Sequence, residues 1–213
     1  MRLVGALILV AGGVVLAGCE TGPPMSPAQC SVADWRAVGY QDGANGRAPE
    51  RFVALQQACA AAGMGADQSL YMSGRGEGLA TYCVPANAFR LGLDGNSYNG
   101  VCPPEFDGPF RFAHDDGMRA HAALEALRSA EGTINSLRND RDEIDHKIDA
   151  NEAGLIASQS DAERQRHRDE LIRLRDERNH LDGRIRDAED NQHDRDRDVG
   201  RLRRDLGFRY GSW

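Results

Sequence analysis

The stretch ASQSDAE, residues 157–163, decides how the second half of this 213-residue chain folds. On each side of it, leucine and isoleucine recur at alternating spacings of four and three residues, which is the heptad pattern of a coiled coil. The two patterns do not join in one register, and Ser160 and Glu163 have the spacing of a capping box that begins a new helix. The sequence therefore predicts an antiparallel helical hairpin over residues 113–206, with its turn near residues 157–161. A single unbroken helix that forms a parallel dimer is the alternative.

Polar residues interrupt the predicted seam between the two arms. Arg141 and Asn151 occupy heptad positions in the first arm, and Arg178, Gln192 and Arg195 occupy them in the second. Polar core positions weaken a coiled coil, so we expect the hairpin to self-associate or to bind a partner protein. The apolar heptad positions are Leu127, Ile134, Leu137, Ile144, Ile148 and Leu155 in the first arm and Leu171, Leu174, Leu181, Ile185, Ala188, Val199, Leu202 and Leu206 in the second.

The first residues have the features of an export signal. One basic residue, Arg2, precedes an apolar run that is too short to be a good membrane-spanning helix. The sequence Leu-Ala-Gly-Cys at residues 16–19 resembles the lipobox of bacterial lipoproteins. This resemblance implies that residues 1–18 are a lipoprotein signal peptide and that Cys19 becomes the acylated N-terminus. The acyl chains on Cys19 are then expected to hold the protein to membrane lipid.

An anchored protein of this kind is expected in the bacterial cell envelope, facing the periplasm. Glu20 follows the cysteine, whereas an aspartate here is the familiar inner-membrane retention signal of enteric bacteria, so the sequence favours the outer membrane. Residues 19–29 are expected to form the acylated N-terminus and a flexible linker, because they include the proline-containing sequence TGPPMSP. The partner expected for the hairpin is accordingly another envelope protein.

Four further cysteines, Cys30, Cys59, Cys83 and Cys102, all lie in the first half of the chain. An even number of cysteines in an exported chain indicates two disulfides, for which three pairings are possible. Consecutive cysteines are at least 19 residues apart, which is too far for a zinc knuckle, so we expect no metal. If the first two helices are antiparallel, Cys30 lies near Cys59, and this favours the pairs Cys30 with Cys59 and Cys83 with Cys102.

Residues 30–112 are rich in glycine, alanine and aromatic residues and predict a small helical domain. Local start signals favour four short helices, of which Pro49, Asp67 and Pro85 begin the last three. The proline-rich stretch at residues 102–110 is interpreted as the joint between this domain and the hairpin.

An aromatic-x-x-glycine unit recurs in this domain, at residues 40–43, 71–74 and 89–92. Glycines on one helix face let another helix approach the backbone closely. Glycine loops that cradle phosphate follow the patterns GxGxxG or GxxxxGK[ST] instead. The sequence GRGEGL at residues 74–79 has leucine where the last glycine is required. Close packing therefore fits these units better than a ligand loop.

Any binding surface in this domain is expected among the aromatic and hydrogen-bonding side chains between the glycines. Aromatic platforms of this type suit glycans and peptides, although they suit a small core equally well. A peptidoglycan- or glycan-binding module, or an envelope enzyme acting through this surface, is the alternative function. The candidate residues are Tyr40, Asp42, Tyr71, Arg75, Tyr82, Asn87 and Tyr98.

The domain also contains an ordered set of short motifs. They are Asp34-Trp35, Gly39-Tyr40, Asp42-Gly43, Tyr82-Cys83 and Gly100-Val101-Cys102-Pro103. This set resembles the bacterial lipoprotein family catalogued as domain of unknown function 2799, over residues 30–103. The resemblance implies an envelope lipoprotein, in some members with a helical tail, and it implies no activity because none is established for the family. Ala88 stands where we expect the family to have a glycine.

Composition and motifs argue against several other functions. With 33 acidic and 26 basic residues the chain has a net charge of −7 and no basic stripe, so we expect no nucleic-acid partner. HExxH and GxSxG motifs are missing and the cysteines are assigned to disulfides, so we expect neither catalysis nor a cofactor. His114, Asp115 and Asp116 fit the charged beginning of a helix better than a metal site.

The sequence GFRYGSW at residues 207–213 is interpreted as an aromatic C-terminal tail. Because an antiparallel hairpin returns the chain to its starting point, Phe208, Tyr210 and Trp213 are expected to dock on the glycine-rich domain near residue 113. The complete prediction is an all-α fold, in which a small disulfide-stapled glycine-rich helical domain precedes a long antiparallel helical hairpin that forms a coiled coil.

Overall fold

The computed structural model describes residues 24–213, in which all regular secondary structure is helical. The all-α prediction is confirmed, because a disulfide-bonded helical part precedes two long helices that pack together. The predicted signal peptide and Cys19, the predicted site of acylation, lie outside the described residues. None of the described helices has the length and apolar composition needed to cross a bilayer. The helices are α1 (Pro27–Ser31), α2 (Trp35–Ala44), α3 (Arg51–Ala61), α4 (Gln68–Tyr82), α5 (Pro85–Leu93), α6 (Pro104–Ala157) and α7 (Asp161–Tyr210).

Aspartate side chains begin two helices of the glycine-rich part. Asp34 accepts hydrogen bonds from the backbone N–H groups of Arg36 and Ala37 at 3.0 and 3.1 Å. Asp67 accepts one from the N–H of Leu70 at 3.0 Å. These bonds satisfy amides that have no partner inside the helix. The helix α1 is not predicted from the sequence, because its five residues are too few to show a period.

Two disulfides staple this part of the chain. Cys30 is bonded to Cys59, which ties α1 to α3, and Cys83 is bonded to Cys102, which ties the end of α4 to the residues just before α6. This is the pairing that the sequence favours. The bonded Cα atoms are 5.5 and 5.7 Å apart, within the usual range for disulfides. Each covalent loop restricts the unfolded chain and so stabilises a domain whose core is small.

Glycines bring α2 and α4 into backbone contact. A Cβ atom at Gly39 or Gly43 of α2 would overlap backbone carbonyl oxygens of α4, and a Cβ atom at Gly74 or Gly78 of α4 would overlap those of α2. Because the overlap is reciprocal, neither helix has room for a larger residue at the crossing. Gly46 has another role. It lies just after the end of α2 and has a positive φ of 63°, a conformation that suits glycine.

A second crossing of the same kind joins α5 to α6. A Cβ atom at Gly92 or at Gly117 would overlap backbone carbonyl oxygens of the other helix. Ala88 and Ala113, each four residues before one of these glycines, are buried. Alanine therefore serves at position 88 as the small residue that this crossing needs.

Helix α6 runs without a break from the glycine-rich part into the hairpin. It begins at Pro104 and ends at Ala157, so the boundary expected after residue 112 falls inside a continuous helix. Pro104 suits the first helical position, where no N–H is needed, and Pro109 removes one backbone hydrogen bond from a helix of 54 residues. The proline-rich stretch is therefore mostly the beginning of the long helix.

Residues 158–160 form the turn between α6 and α7, within the window that the sequence predicts. The hydroxyl of Ser160 accepts a hydrogen bond from the N–H of Glu163 at 3.3 Å, and the carboxylate of Glu163 accepts one from the N–H of Ser160 at 3.3 Å. This is the predicted capping box. The antiparallel hairpin, with its apolar seam, is the fold of this half of the chain. Buried seam residues include Leu137, Ile144, Leu174, Leu181 and Ile185.

Charged residues pair across the seam where the heptads are interrupted. Arg178 of α7 donates to Asp145 of α6 over 2.5 Å. Arg141, which also occupies a heptad position, lies 3.9 Å from the same carboxylate. A polar layer of this kind costs stability but fixes the register in which two helices pair.

Candidate functional site

Asp42 is the centre of a polar cluster between α2, α3 and α4. Its side chain is almost completely buried, with the residue 5% exposed. The carboxylate accepts hydrogen bonds from the hydroxyl of Tyr71 at 2.8 Å and from Nε of Arg51 at 3.1 Å. Nε of Arg47 lies 3.4 Å away. A buried charge requires such partners, so these donors hold the carboxylate in place inside the domain.

Tyr71 and Arg75 also belong to this cluster and are buried. Burial, reinforced by the hydrogen bond to Asp42, raises the pKa of Tyr71 well above its ordinary value of 10.0. The hydroxyl therefore stays protonated and donates to Asp42 at neutral pH. Arg75 donates to the carbonyl oxygen of Arg47 at 2.8 Å, while its Nε atom is buried without a hydrogen-bond partner. The structure thus places Asp42, Tyr71 and Arg75 in the core rather than on a surface.

Tyr82, Asn87 and Tyr98 form a separate group beside the Cys83–Cys102 disulfide. The ring of Tyr82 stacks on Phe110 with the centroids 5.3 Å apart. The hydroxyl of Tyr98 donates to Asp107 at 2.7 Å. The amide of Asn87 donates to the last two carbonyl groups of α4 at 3.1 and 3.3 Å. Each side chain is half-buried and fixes a local contact, so this group joins loops and helix ends.

Tyr40 is the exposed member of the predicted binding set. The other six are divided between the Asp42 cluster and the group around Tyr98, which lie in different apolar cores. The structure does not bring the seven residues together into one surface.

Asp116 is a second buried carboxylate, and it fastens the end of the chain. It lies in α6 and is 2% exposed. Its carboxylate accepts hydrogen bonds from Arg209 at 2.7 Å and from the hydroxyl of Tyr210 at 2.9 Å, both at the end of α7. Arg119 also donates to it. The last turn of α7 is thereby tied to the part of α6 that crosses α5.

Aromatic packing reinforces this fastening. The ring of Tyr210 stacks on Phe89 of α5, and the ring of Trp213 packs edge-on against the same phenylalanine at 5.8 Å. The docking predicted for Tyr210 and Trp213 is therefore observed. Phe208 does not dock, since it is 95% exposed on the outer side of α7. The reason is that α7 continues to Tyr210, and helical geometry turns Phe208 away from α5.

The expectation that His114, Asp115 and Asp116 begin a helix is wrong. Helix α6 already begins at Pro104, so all three residues lie within it. His114 Nε2 is 2.8 Å from the carbonyl oxygen of Asn96, and this contact holds the loop after α5. Among residues 24–213, no group of three or more His, Cys, Asp or Glu side chains is arranged to hold a metal ion.

The turn end of the hairpin carries an exposed apolar patch. Ile156 of α6 is 87% exposed and Ile172 of α7 is 61% exposed. Both line a groove of about 480 Å³, which we call the tip groove. Between residues 119 and 206 these are the only large apolar side chains that are exposed, so the patch stands out on an otherwise polar arm. The tip groove is lined by Glu152, Leu155, Ile156, Arg168, Leu171, Ile172 and Arg175.

The sequence from α2 to the α5–α6 crossing is similar to a known family. Residues 34–119 match the family model described as “Protein of unknown function (DUF2799)”. We call residues 34–119, which match this model, the DUF2799 segment. The resemblance seen in the sequence is confirmed, and the match continues beyond Pro103 into α6. No curated protein and no solved structure matches the chain.

The DUF2799 segment contains both glycine crossings and both buried carboxylates. It does not include α7 or the tip groove. Within the segment, Asp42 and Asp116 are engaged by arginine and tyrosine donors, an arrangement that holds helices together. The tip groove, with its exposed Ile156 and Ile172, lies outside the DUF2799 segment, at the far end of the hairpin.

Sequence reasoning does not identify Asp116, Ile156 or Ile172 as functional candidates. Ile156 directly follows the heptad residue Leu155, and Ile172 directly follows Leu171. Each is therefore a large aliphatic residue just outside the predicted seam. The sequence signal for the tip groove is therefore an extra aliphatic residue next to a seam residue on each side of the turn.

Proposed function

We propose that this protein is a lipid-anchored lipoprotein of the bacterial cell envelope that presents its helical hairpin to a protein partner. In this proposal it faces the periplasm, is held in the outer membrane, and has no enzymatic activity. The observation that carries the proposal is the tip groove, an apolar contact surface at the end of an arm on which no other large apolar side chain is exposed between residues 119 and 206.

The length of the arm supports a reaching role. Beyond the buried contact of Ala120 with α5 and α7, α6 continues to Ala157. At 1.5 Å per residue, this part of the helix extends on the order of 55 Å. A contact surface at its end is therefore well separated from the DUF2799 segment.

The structure at the foot of the hairpin supports a firm attachment. Here the arm is the whole hairpin, and the base is the part formed by α1 to α5 and the beginning of α6. Helix α6 is shared between base and arm, and α7 is tied back to it by the hydrogen bonds of Arg209 and Tyr210 to Asp116. Two disulfides hold the base itself together. An arm mounted in this way keeps its orientation relative to the base.

The proposed lipid anchor is supported by the sequence around Cys19 alone. Residues 20–26 join Cys19 to α1, and seven fully extended residues span at most about 25 Å. An acylated Cys19 accordingly keeps the disulfide-bonded base close to the membrane and leaves the arm to extend from it.

The alternative function, glycan binding or catalysis through the glycine-aromatic residues, has less support. Asp42 and Tyr71 are bonded to each other in the core. Tyr98 is bonded to Asp107. Tyr40 alone of the predicted set presents an exposed side chain. These residues do not offer a glycan a continuous aromatic platform.

Two measurements test the proposal in cells. Mass spectrometry of the N-terminal peptide is expected to find acylated Cys19, and Cys19→Ser is expected to release the protein from the membrane. A photo-crosslinking residue at position 172 is expected to capture one envelope protein, whereas the same residue at position 53, also exposed, is expected to capture none. Capture of glycan through the base, abolished by Tyr40→Ala, would support the alternative instead.

A further inference from the structure

We propose that the tip groove binds the apolar face of one amphipathic helix that carries acidic residues along its edge. This inference rests on the proposed function, because it specifies the partner surface that the hairpin contacts. It identifies the partner by shape and charge, from the residues at the end of the arm.

The apolar character of the tip groove gives the first requirement on the partner. Ile156 and Ile172 project from the two helices, while Leu155 and the buried Leu171 line the groove with them. Exposed aliphatic side chains gain most when they pack against other apolar side chains and lose water. The occupant must therefore present an apolar stripe.

The charge of the rim gives the second requirement. Arg168 has no carboxylate within 4.0 Å among the described residues. Arg175 pairs with Glu152 at 2.9 Å, so these two charges largely offset each other. The rim therefore has a net positive charge, centred on Arg168. An acidic residue beside the partner's apolar stripe complements it.

Hydrogen bonds hold the turn beside the tip groove. The hydroxyl of Ser158 donates to the carbonyl of Gly154 at 2.8 Å, and Arg164 donates to the carbonyl of Ser158 at 2.9 Å. His167 Nδ1 lies 3.0 Å from Oδ1 of Asn151, which links the two helices just behind the turn. The groove is therefore formed before binding, and a pre-formed groove costs less ordering when a partner binds.

The groove between two antiparallel helices suits a third helix. Side-chain ridges of one helix pack into grooves on another at a small set of angles. An amphipathic helix in an apolar groove presents side chains at positions i, i+3 or i+4 and i+7. This matches a surface to which α6 contributes the exposed Ile156, two residues before the turn, and α7 contributes the exposed Ile172, twelve residues after it.

Binding of designed peptides to the full chain in solution tests the inference. One labelled helical peptide carries leucines along one face and glutamates beside them, and a second has lysines in place of the glutamates. Fluorescence anisotropy is expected to show that the glutamate peptide binds at least about tenfold more tightly than the lysine peptide. Equal binding of the two peptides would overturn the charge argument.

Variants of exposed residues separate the groove from other surfaces. Ile172→Gln is expected to weaken the glutamate peptide by at least about tenfold. Val32→Gln, at an aliphatic residue of the base that is 81% exposed, is expected to leave binding unchanged. Arg168→Glu is expected to reverse the preference, so that the lysine peptide binds more tightly. Circular dichroism checks that each variant keeps its helical content, and unchanged binding by folded Ile172→Gln would overturn the inference.

Two further outcomes would assign the tip groove to another occupant. Dimerisation that Ile172→Gln abolishes, measured by analytical ultracentrifugation, would show that a second copy fills the groove. Binding of the tip to phosphatidylglycerol vesicles, lost with the same variant, would show that lipid does so. Peptide binding is independent of acylation, so a failure here is distinguishable from a failure of the lipid-anchor proposal, which the mass of the N-terminal peptide decides.

Discussion

The ring of Tyr210 lies almost parallel to that of Phe89, with the centroids 4.5 Å apart and the planes inclined by 10°. Phe89 belongs to α5 of the DUF2799 segment, whereas Tyr210 is the last residue of α7. The chain therefore closes on itself, and the end of the arm contributes to the core of the base. This contact gives the base a stability that depends on the arm's last turn.

Replacing Tyr210 with alanine is expected to lower the free energy of unfolding by about 3 kcal/mol, because the stack on Phe89 and the hydrogen bond to Asp116 are both lost. Tyr210→Phe keeps the stack and is expected to cost about 1 kcal/mol. Phe208→Ala is the matched control, and at a residue 95% exposed its effect is expected to stay within about 0.5 kcal/mol. Urea denaturation measures all three, and equal losses for Tyr210→Ala and Phe208→Ala would contradict the assigned contact.

Two glycines two residues apart in α4 are expected to respond in opposite ways to alanine. A Cβ atom at Gly74 would overlap the carbonyl oxygen of Arg36, whereas one at Gly76 meets no atom within 4 Å. Gly74→Ala is therefore expected to destabilise the protein by about 3 kcal/mol, since α2 and α4 must move apart. Gly76→Ala is expected to stabilise it by up to about 1 kcal/mol, through helix propensity. Thermal unfolding of the two variants checks the prediction, and a stable Gly74→Ala protein would rule out the close crossing.

Alkaline pH is expected to reveal the buried hydroxyl of Tyr71. Burial and the bond to Asp42 raise its folded-state pKa above the ordinary value of 10.0, so the folded chain keeps this proton at a pH where the unfolded chain releases it. The contribution of Tyr71 is therefore complete below pH 10.0 and is lost as the pH rises above that value. Tyr71→Phe removes this contribution.

Urea denaturation of the wild type and of Tyr71→Phe at neutral and alkaline pH measures the effect. The variant is expected to be less stable by about 1 kcal/mol at neutral pH, because Asp42 loses a donor. This difference is expected to shrink at alkaline pH. A difference that stays constant across the range would mean that Tyr71 titrates normally in the folded protein.

Removing the Cys83–Cys102 disulfide is expected to loosen the base without melting the arm. The bond closes a loop with a sequence separation of 19, for which a loss of about 3 kcal/mol is expected when both cysteines become alanine. The hairpin seam contains none of these residues. Hydrogen exchange is expected to increase in α4 and α5 and to remain slow near Leu174 and Leu181. Faster exchange throughout the seam would show that base and arm unfold as one unit.

Features of this fold that depend on neighbouring residues are predictable from the sequence. The hairpin follows from two heptad patterns that differ in register, and its turn follows from the capping box of Ser160 and Glu163. The beginning of α4 follows from Asp67, whose carboxylate meets an amide three residues away. Local geometry determines each of these, so one short stretch contains the necessary information.

Features that depend on distant partners are not predictable in this way. From the residues around it, Asp116 is interpreted as part of the charged beginning of a helix. Its partners Arg209 and Tyr210 are 93 and 94 residues away, so neighbouring sequence gives no sign of these contacts. The predicted binding set has aromatic and polar residues, but only packing decides that Tyr71 points into the core and Tyr40 outward. The helical conformation of most of the proline-rich joint is a third example, since burial of Phe110 and Ala113 favours an uninterrupted α6.

The unbroken course of α6 from Pro104 to Ala157 has a mechanical consequence. A load applied at the turn travels along one helix into the base without crossing a flexible loop, and α7 returns the opposing force through Arg209 and Tyr210 to Asp116. A pull or tilt at the tip of the hairpin is therefore transmitted to α5 and to the Cys83–Cys102 disulfide beside it.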